Sequence, residues 1–247
     1  MSDNTSVILI PARLNSSRFP RKILAPIDGK PLIVRVFEEA KKSGCEDIYV
    51  ACCSLEVKEI VESYGGKAII TDPDLPSGTD RVFAALSKLE KKPKFVVNLQ
   101  GDTPIFDESI IPTILSVIQN NDLIEIATPV VRKICKLGSE NQNVVKVVFN
   151  NMEKNEPGKA LYFSRNHIPS GSDYFYSHMG IYAYRYEAIE KFVSLKTSFL
   201  EITERLEQLR ALQNGMNIWA VPVHGDAIAV DTPEDLEFAI RFLENAV

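Results

Sequence analysis

Four short apolar runs recur early in the chain: VILI (7–10), IYVACC (48–53), AII (68–70) and FVVNL (95–99). They are continuously apolar rather than alternating, which suits strands covered on both faces, as in a parallel sheet. Parallel neighbours need crossover connections, and the helical stretches 32–43, 55–63 and 80–89 separate the runs one by one. A further helix is expected over 108–119. The pattern predicts an α/β fold: a doubly wound, mostly parallel sheet of Rossmann-like type.

The second half is less regular. NVVKVVFN and KALYFSR flank a polar turn at 151–159 that reads as a hairpin loop, and MGIYAYR is another strand candidate. A helix is expected over 198–213, stopping at Asn214-Gly215. NIWAVPV reads as a late strand. The last helix starts with Thr232 as its N-cap and Pro233 at its first helical position. No repeat, low-complexity tract or linker breaks the 247 residues. The expectation is one domain, 1–247, with a core sheet from about 7–130 and 216–247 and an antiparallel lobe inserted over about 131–215.

A net charge of −5 argues against a general nucleic-acid binder, which would carry a basic face. No run approaches the ~20 apolar residues of a membrane span, and the polar start MSDNTS does not resemble a signal peptide, so no membrane insertion is expected. Cys45, Cys52, Cys53 and Cys135 show neither C-x-x-C spacing nor a nearby histidine cluster. That argues against structural zinc and a disulfide framework, and a cytoplasmic setting is expected.

In an open parallel sheet, ligands bind beyond the carboxyl ends of the strands. Four loops leave such ends: PARLNSSRFPRK (11–22), TDPDLPSGTDR (71–81), QGDTP (100–104) and VDTPED (230–235). The first gathers Arg13, Arg18, Arg21 and Lys22. It is either a solvated surface loop or, beside free backbone N–H groups, an anion site suited to phosphate. Neither G-x-G-x-x-G nor G-x-x-x-x-G-K-[ST] follows the strand, which excludes a Walker loop and weakens a dinucleotide reading. Asp102 leaves FVVNL through Gly101, which would let the backbone turn sharply and approach a ligand closely. It is either a turn residue or a ligand for a hard cation such as Mg²⁺. Asp231 offers a second carboxylate after a strand end. A cation cluster with two separated carboxylates is what transfer of a phosphoryl-type group requires.

Taken together, LIPARLNSSRFPRKILAPIDGKPLI, SGTDR, NLQGDTP, KALYFSR, HMGIYAY, LEQLRAL and VDTPEDL resemble the CTP-dependent 3-deoxy-manno-octulosonate (Kdo) cytidylyltransferases, the CMP-Kdo synthetases, from about residue 7 to 243. The resemblance implies that CTP and Kdo give CMP-Kdo and pyrophosphate with Mg²⁺, the anomeric hydroxyl attacking the α-phosphorus in line. It matches Arg13 and Lys22 to the cations that hold the triphosphate, with Arg18 assisting, and Asp102 and Asp231 to the magnesium carboxylates. Nucleotide selection would come from the backbone of Pro11 and Ala12 and from Ser77, Gly78 and Thr79. Gln100, Arg165, His178, Tyr182, Glu207 and Gln208 fall on the sugar-contacting motifs. The resemblance also implies a homodimer built through the second lobe and a role in supplying lipopolysaccharide or a related glycan.

Each residue also has a plainer reading. Arg165 could serve a structural ion pair, His178 a satisfied core, Glu207 and Gln208 a solvated helix face, and Arg81 a helix surface. The match also has departures. PRKIL stands for the usual PGKPL, so Arg21 replaces a glycine and Ile23 a proline; Asp72 and Leu75 replace residues that many relatives use. The segment between Ile168 and His178 is short, which leaves open a modified sugar such as 8-amino-Kdo. CMP-sialic acid synthetases share the first loop but not YFSR and VDTPEDL together. The rival from another class is a non-catalytic nucleotide- or sugar-binding protein on the same fold, which two retained metal carboxylates disfavour.

Overall fold

The structure, a computed structural model, describes residues 5–14, 19–135 and 141–245. It divides into two compact units, Met1–Ser109 with Asp226–Val247, and Ile110–Gly225.

The first unit alternates β1 (Ser6–Ala12), α1 (Leu32–Lys42), β2 (Ile48–Cys52), α2 (Leu55–Ser63), β3 (Lys67–Ile70), α3 (Gly78–Leu86) and β4 (Phe95–Asn98). The strands lie side by side in the order β4-β1-β2-β3, all parallel. Ile8 faces Val97 on one side and Ile48 on the other, so β1 is central, and Ile8, Leu9 and Ile10 are fully buried. That is the burial an unbroken apolar run calls for. Helix α1 buries Leu32, Ile33, Val36, Phe37 and Ala40, the stripe that helical spacing puts on one face. Each large apolar side chain removed from water there contributes roughly 1.5–3 kcal/mol.

The second unit opens with α4 (Ile110–Gln119) and continues through β5 (Ile126–Ile134), β6 (Lys146–Phe149), β7 (Gly158–Ser164), β8 (Tyr174–His178) and β9 (Tyr182–Arg185). Then come α5 (Tyr186–Ser194), α6 (Phe199–Glu204), α7 (Gln208–Gln213) and β10 (Ile218–Pro222). The long strand β5 is the hub. Its first half pairs with β10 on one edge and β9 on the other, and its second half pairs with β8. The pairings β10–β7, β7–β6 and β6–β8 then close a circuit of five strands back to β5. Within the expected lobe, 131–215, the pairings are antiparallel, and the parallel pair β10–β5 joins 218–222 to 126–130, which the sequence assigned to the core sheet.

The hairpin of β6 and β7 around the 151–159 turn is present, and Gly158 is indispensable to it: a Cβ there would lie 1.7 Å from the Asn150 carbonyl oxygen. The single helix expected over 198–213 is instead two. Ser198 and Glu201 form a reciprocal capping box that starts α6, and Arg205, at φ 55°, ends it in the left-handed region. Leu206 then turns into the interior before α7 begins. Local polar chemistry stops a helix that hydrophobic periodicity alone would continue.

The chain returns to the first unit in α8 (Pro233–Asn245), capped as expected: Asp235 N–H donates to Thr232 Oγ1 at 3.2 Å, and Thr232 N–H donates to Asp235 Oδ2 at 2.9 Å. Among the described residues, no helix is long and apolar enough to cross a membrane.

Candidate active site

At the carboxyl ends of β1 and β4 the first unit opens into a cleft of about 440 Å³. Pro11, Ala12 and Arg13 line it from the end of β1, and Ser77 and Gly78 from the start of α3. Gln100, Gly101 and Asp102 follow β4 into it; Lys22, Arg81 and Asp231 complete the polar lining.

Lys22 is the focus of the charge. It is only 9% exposed, and its Nζ donates to Asp102 Oδ2 at 2.6 Å, to Asp231 Oδ1 at 2.9 Å and to the Val230 carbonyl at 3.0 Å. Burial alone would lower its pKa. The adjoining Asp102 and Asp231 carboxylates outweigh that, so the net shift is upward and the ammonium stays charged. Two acids 129 positions apart in sequence thus converge on a single cation. Asp231 has its backbone N–H held by Asp235 Oδ2 at 3.0 Å, while Thr232 takes the capping role, which leaves the Asp231 carboxylate turned to Lys22.

Gly101 is required for a different reason from the sharp turn expected. A Cβ on it would stand 2.5 Å from the Pro11 carbonyl oxygen, so glycine is what lets the Asp102 turn pass against β1. The expected turn residues also divide. Ser77 caps α3, its Oγ accepting from Asp80 N–H at 3.1 Å and donating to Asp80 Oδ2 at 2.6 Å. Thr79 is buried, and its Oγ1 accepts from Asn98 Nδ2 at 3.3 Å; it is not among the cleft residues. Asn98 Oδ1 in turn accepts from Gln100 Nε2 at 3.2 Å, so a buried amide sets the orientation of Gln100. Gln100, expected on the sugar side, lies in the same cleft as the nucleotide candidates.

Arg18 lies outside the described residues. Arg21 does not line the cleft: it pairs with Glu56 and holds φ at 58°, a left-handed backbone that favours the glycine usual at this position in the resembling sequences. Arg81 is not the surface charge left open by the sequence. It is 3% exposed and grips the 71–73 segment through Thr71 Oγ1 at 2.7 Å and the carbonyls of Asp72 and Pro73 at 2.9 and 3.3 Å. Leu75 lines the cleft, whereas Asp72 turns aside to accept from Asp74 N–H at 2.8 Å. Ile23 and Pro76 also line it, and no polar signal in the sequence marks them.

The second unit holds the remaining candidates, and His178, Tyr182 and Glu207 lie together there. His178 Nε2 lies 2.9 Å from Thr128 Oγ1, whose own proton has the Ile181 carbonyl at 2.8 Å as acceptor. Nε2 therefore carries the imidazole hydrogen and Nδ1 is the acceptor. Burial drives the His178 pKa down to about 3, so the ring is neutral at ordinary pH. It stacks edge-on against Phe163 and lies 5.3 Å from the Tyr182 ring. Tyr182 has its pKa raised, first by burial and then by Tyr184 and Glu207, which puts Glu207 in the same neighbourhood.

The Arg165 guanidinium donates to the carbonyls of Glu204, Gln142 and Arg205 at 3.3, 3.0 and 3.5 Å, not to a described carboxylate. Among the described residues, backbone carbonyls rather than an ion pair hold it. Gln208 is 7% exposed with Nε2 buried and unpartnered, which sets aside the solvated-helix reading for that residue. An unpaired buried donor costs about 1–3 kcal/mol unless something accepts from it.

A parallel sheet whose strand ends present a cation cluster and two convergent acids defines an α/β enzyme of nucleotide-polyphosphate type. Residues 7–218 match the family model described as Cytidylyltransferase. The chain is 42% identical to the 3-deoxy-manno-octulosonate cytidylyltransferase of Paramagnetospirillum magneticum over 99% of its length and 100% of that protein. It is 43% identical to the enzyme of the same name from Rickettsia rickettsii, over 96% of this chain and 97% of the other. A CMP:2-keto-3-deoxy-manno-octonic acid synthetase solved in complex with CTP superposes with a TM-score of 0.90 and 36% identity, covering 98% of this chain and 100% of the other. The chain belongs to the 3-deoxy-manno-octulosonate cytidylyltransferases, within the cytidylyltransferase family.

Proposed function

We propose that this chain transfers CMP from CTP to the anomeric oxygen of Kdo, releasing pyrophosphate. The observation that carries the reading is the meeting of Lys22, Asp102 and Asp231 in one cleft with Arg13. The anomeric oxygen forms a bond to the α-phosphorus as the bond from that phosphorus to the bridging oxygen of pyrophosphate breaks; the hydroxyl proton passes to solvent. Arg13 and Lys22 draw the negative charge of the departing pyrophosphate. The N–H groups at the start of α3 and the backbone of Pro11 and Ala12 border the nucleotide. In the second unit, Arg165 pairs with the sugar carboxylate, neutral His178 accepts a hydrogen bond from a sugar hydroxyl at Nδ1, and the orphaned Gln208 Nε2 donates to a sugar oxygen.

The two acids fit a divalent metal. Both carboxylates reach one ammonium, so one cation can bridge them, and Mg²⁺ needs only one or two protein carboxylates when phosphate oxygens and water complete its shell. Asp102 and Asp231 would hold it. Bound Mg²⁺ would supply charge neutralisation at the phosphorus and a lower pKa for the attacking hydroxyl. The reading extends to a homodimer in the cytoplasm that feeds lipopolysaccharide or a related Kdo-bearing glycan.

Pyrophosphate release from CTP, Kdo and Mg²⁺ tests it. Chelation should abolish turnover, and Asp102→Asn should lower kcat by about 10²–10³ while the protein stays folded. An unchanged rate after both refutes the metal assignment. A panel of Kdo, 8-amino-Kdo and sialic acid tests the sugar, and a preference for sialic acid refutes the Kdo assignment.

A further inference from the structure

Strand β6 begins with a lysine that has no exposed surface: Lys146 is 0% exposed. Its Nζ donates to the carbonyl of Asn141 at 2.7 Å and to that of Arg165 at 2.8 Å. The Arg165 guanidinium takes the next carbonyl along the first of these segments, that of Gln142, through Nη1 at 3.0 Å. The lysine and the arginine therefore both tie the 165 segment to the 141–142 stretch of backbone. In the sheet, Lys146 stands opposite Ser164 on one side and Ser177 on the other, the residues just before Arg165 and His178.

Burial and the nearby Arg165 guanidinium both push the Lys146 pKa down, so a cation is disfavoured at this position. A neutral side chain would leave the strand ladder unchanged, since the ladder uses only backbone groups. An anion in front of Arg165 turns the same arrangement from repulsive to favourable.

We propose that Lys146 is a positioning residue for the carboxylate of the sugar acid: it fixes the Arg165 carbonyl, holds the guanidinium in place, and sets a second positive charge behind it. The inference rests on the reading that Arg165 receives that carboxylate. Loss of the lysine therefore weakens sugar binding through Arg165 without touching the nucleotide cleft, whose lining comes entirely from the other unit.

The experiment uses full-length Lys146→Met and Arg165→Ala with CTP and either Kdo or its methyl ester, which keeps the anomeric hydroxyl and loses the anion. The lysine variant should raise the KM for Kdo about tenfold or more, keep the KM for CTP within about twofold, and cut the acid-to-ester ratio of kcat/KM about tenfold. If the methionine variant fails to fold, Lys146→Gln gives the same reading, because its amide keeps two N–H donors for the carbonyls and removes the charge. An unchanged acid-to-ester ratio in the folded variant, or a parallel rise in both KM values, overturns the proposal. If Arg165→Ala leaves that ratio unchanged, the assignment of Arg165 falls and this inference falls with it. If the arginine variant alone changes the ratio, only the role of Lys146 is refuted.

Discussion

Replacing Lys22 by methionine removes both its hold on the two acids and the charge proposed to meet the triphosphate. The ammonium sits on two carboxylates whose side chains are 28% and 44% exposed, against 11% for its own. Breaking a fully buried ion pair by removing one partner costs about 3–5 kcal/mol. Water reaching both acids reduces that here to about 2 kcal/mol. For a chain of this size the melting temperature should fall by about 4–8 °C. The two acids then face each other with no ammonium between them, and a divalent cation can take its place. With Mg²⁺ at ten times its Kd and no nucleotide, the variant should regain about 1.4 kcal/mol, most of the loss. The native protein should gain less, because Lys22 already neutralises the site. Scanning calorimetry with and without Mg²⁺ reads both effects, and pyrophosphate release should be abolished by the same substitution. If Mg²⁺ stabilises neither the variant nor the native protein, the two acids are not a metal site.

Three further outcomes follow from the geometry. His178 has a folded pKa near 3, below its unfolded value of 6.5, so it contributes stability above pH 6.5 that is lost as pH falls toward 3; His178→Phe should flatten unfolding free energy against pH in that window. Gly101→Ala places a Cβ 2.5 Å from the Pro11 carbonyl oxygen and should lower both melting temperature and kcat, whereas a Cβ on Gly78 meets nothing nearer than 3.6 Å and should leave the melting temperature nearly unchanged. Asn98→Ala removes the partner of Gln100 and Thr79 and should cost about 1–3 kcal/mol of stability. Its effect on kcat/KM for the sugar should be non-additive with that of Gln100→Ala, and strict additivity in a double-mutant cycle would show that the two amides act independently.

The parallel half of the fold was readable because each strand there is buried on both faces, and that demand writes itself into the local sequence. β1, β2, β3 and β4 all begin within a residue of the positions read from apolar runs. The placement of charge at strand ends was readable for a related reason: a residue's position at the mouth of a parallel sheet depends only on the order of elements. Arg13, Lys22, Gln100, Asp102 and Asp231 do share one cleft. The two helices in place of one at 198–213 were not readable from periodicity, because the break depends on a capping box and one left-handed residue. Arg21 shows the converse. Its departure from glycine was visible, but its consequence, a strained backbone of roughly 1–2 kcal/mol partly offset by an exposed ion pair with Glu56, needed the dihedral angle.

Buried cations are the part of this chain that sequence hides most completely. Lys146 sits in VVKVVF, where period-2 alternation puts it on one face of a strand and nothing separates a lysine pointing to water from one pointing inward. Arg81, in the first turns of α3, was open to a surface reading for the same reason. What decides both is the supply of acceptors. A buried ammonium or guanidinium persists only where carbonyls or carboxylates meet its donors, and those carbonyls come from other segments: 141 and 165 for Lys146, 72 and 73 for Arg81. Lys22 belongs to the same class, with acceptors at 102, 230 and 231. It was legible only because its acids also lie at strand ends. The three cations differ in what they hold rather than in how they are held. Arg81 fixes the 71–73 segment, Lys22 fixes the acids, and Lys146 fixes the Arg165 carbonyl. Each is a charge placed where water would otherwise be needed, and each should therefore be replaceable only by a residue that brings both the charge and the donors to the same acceptors.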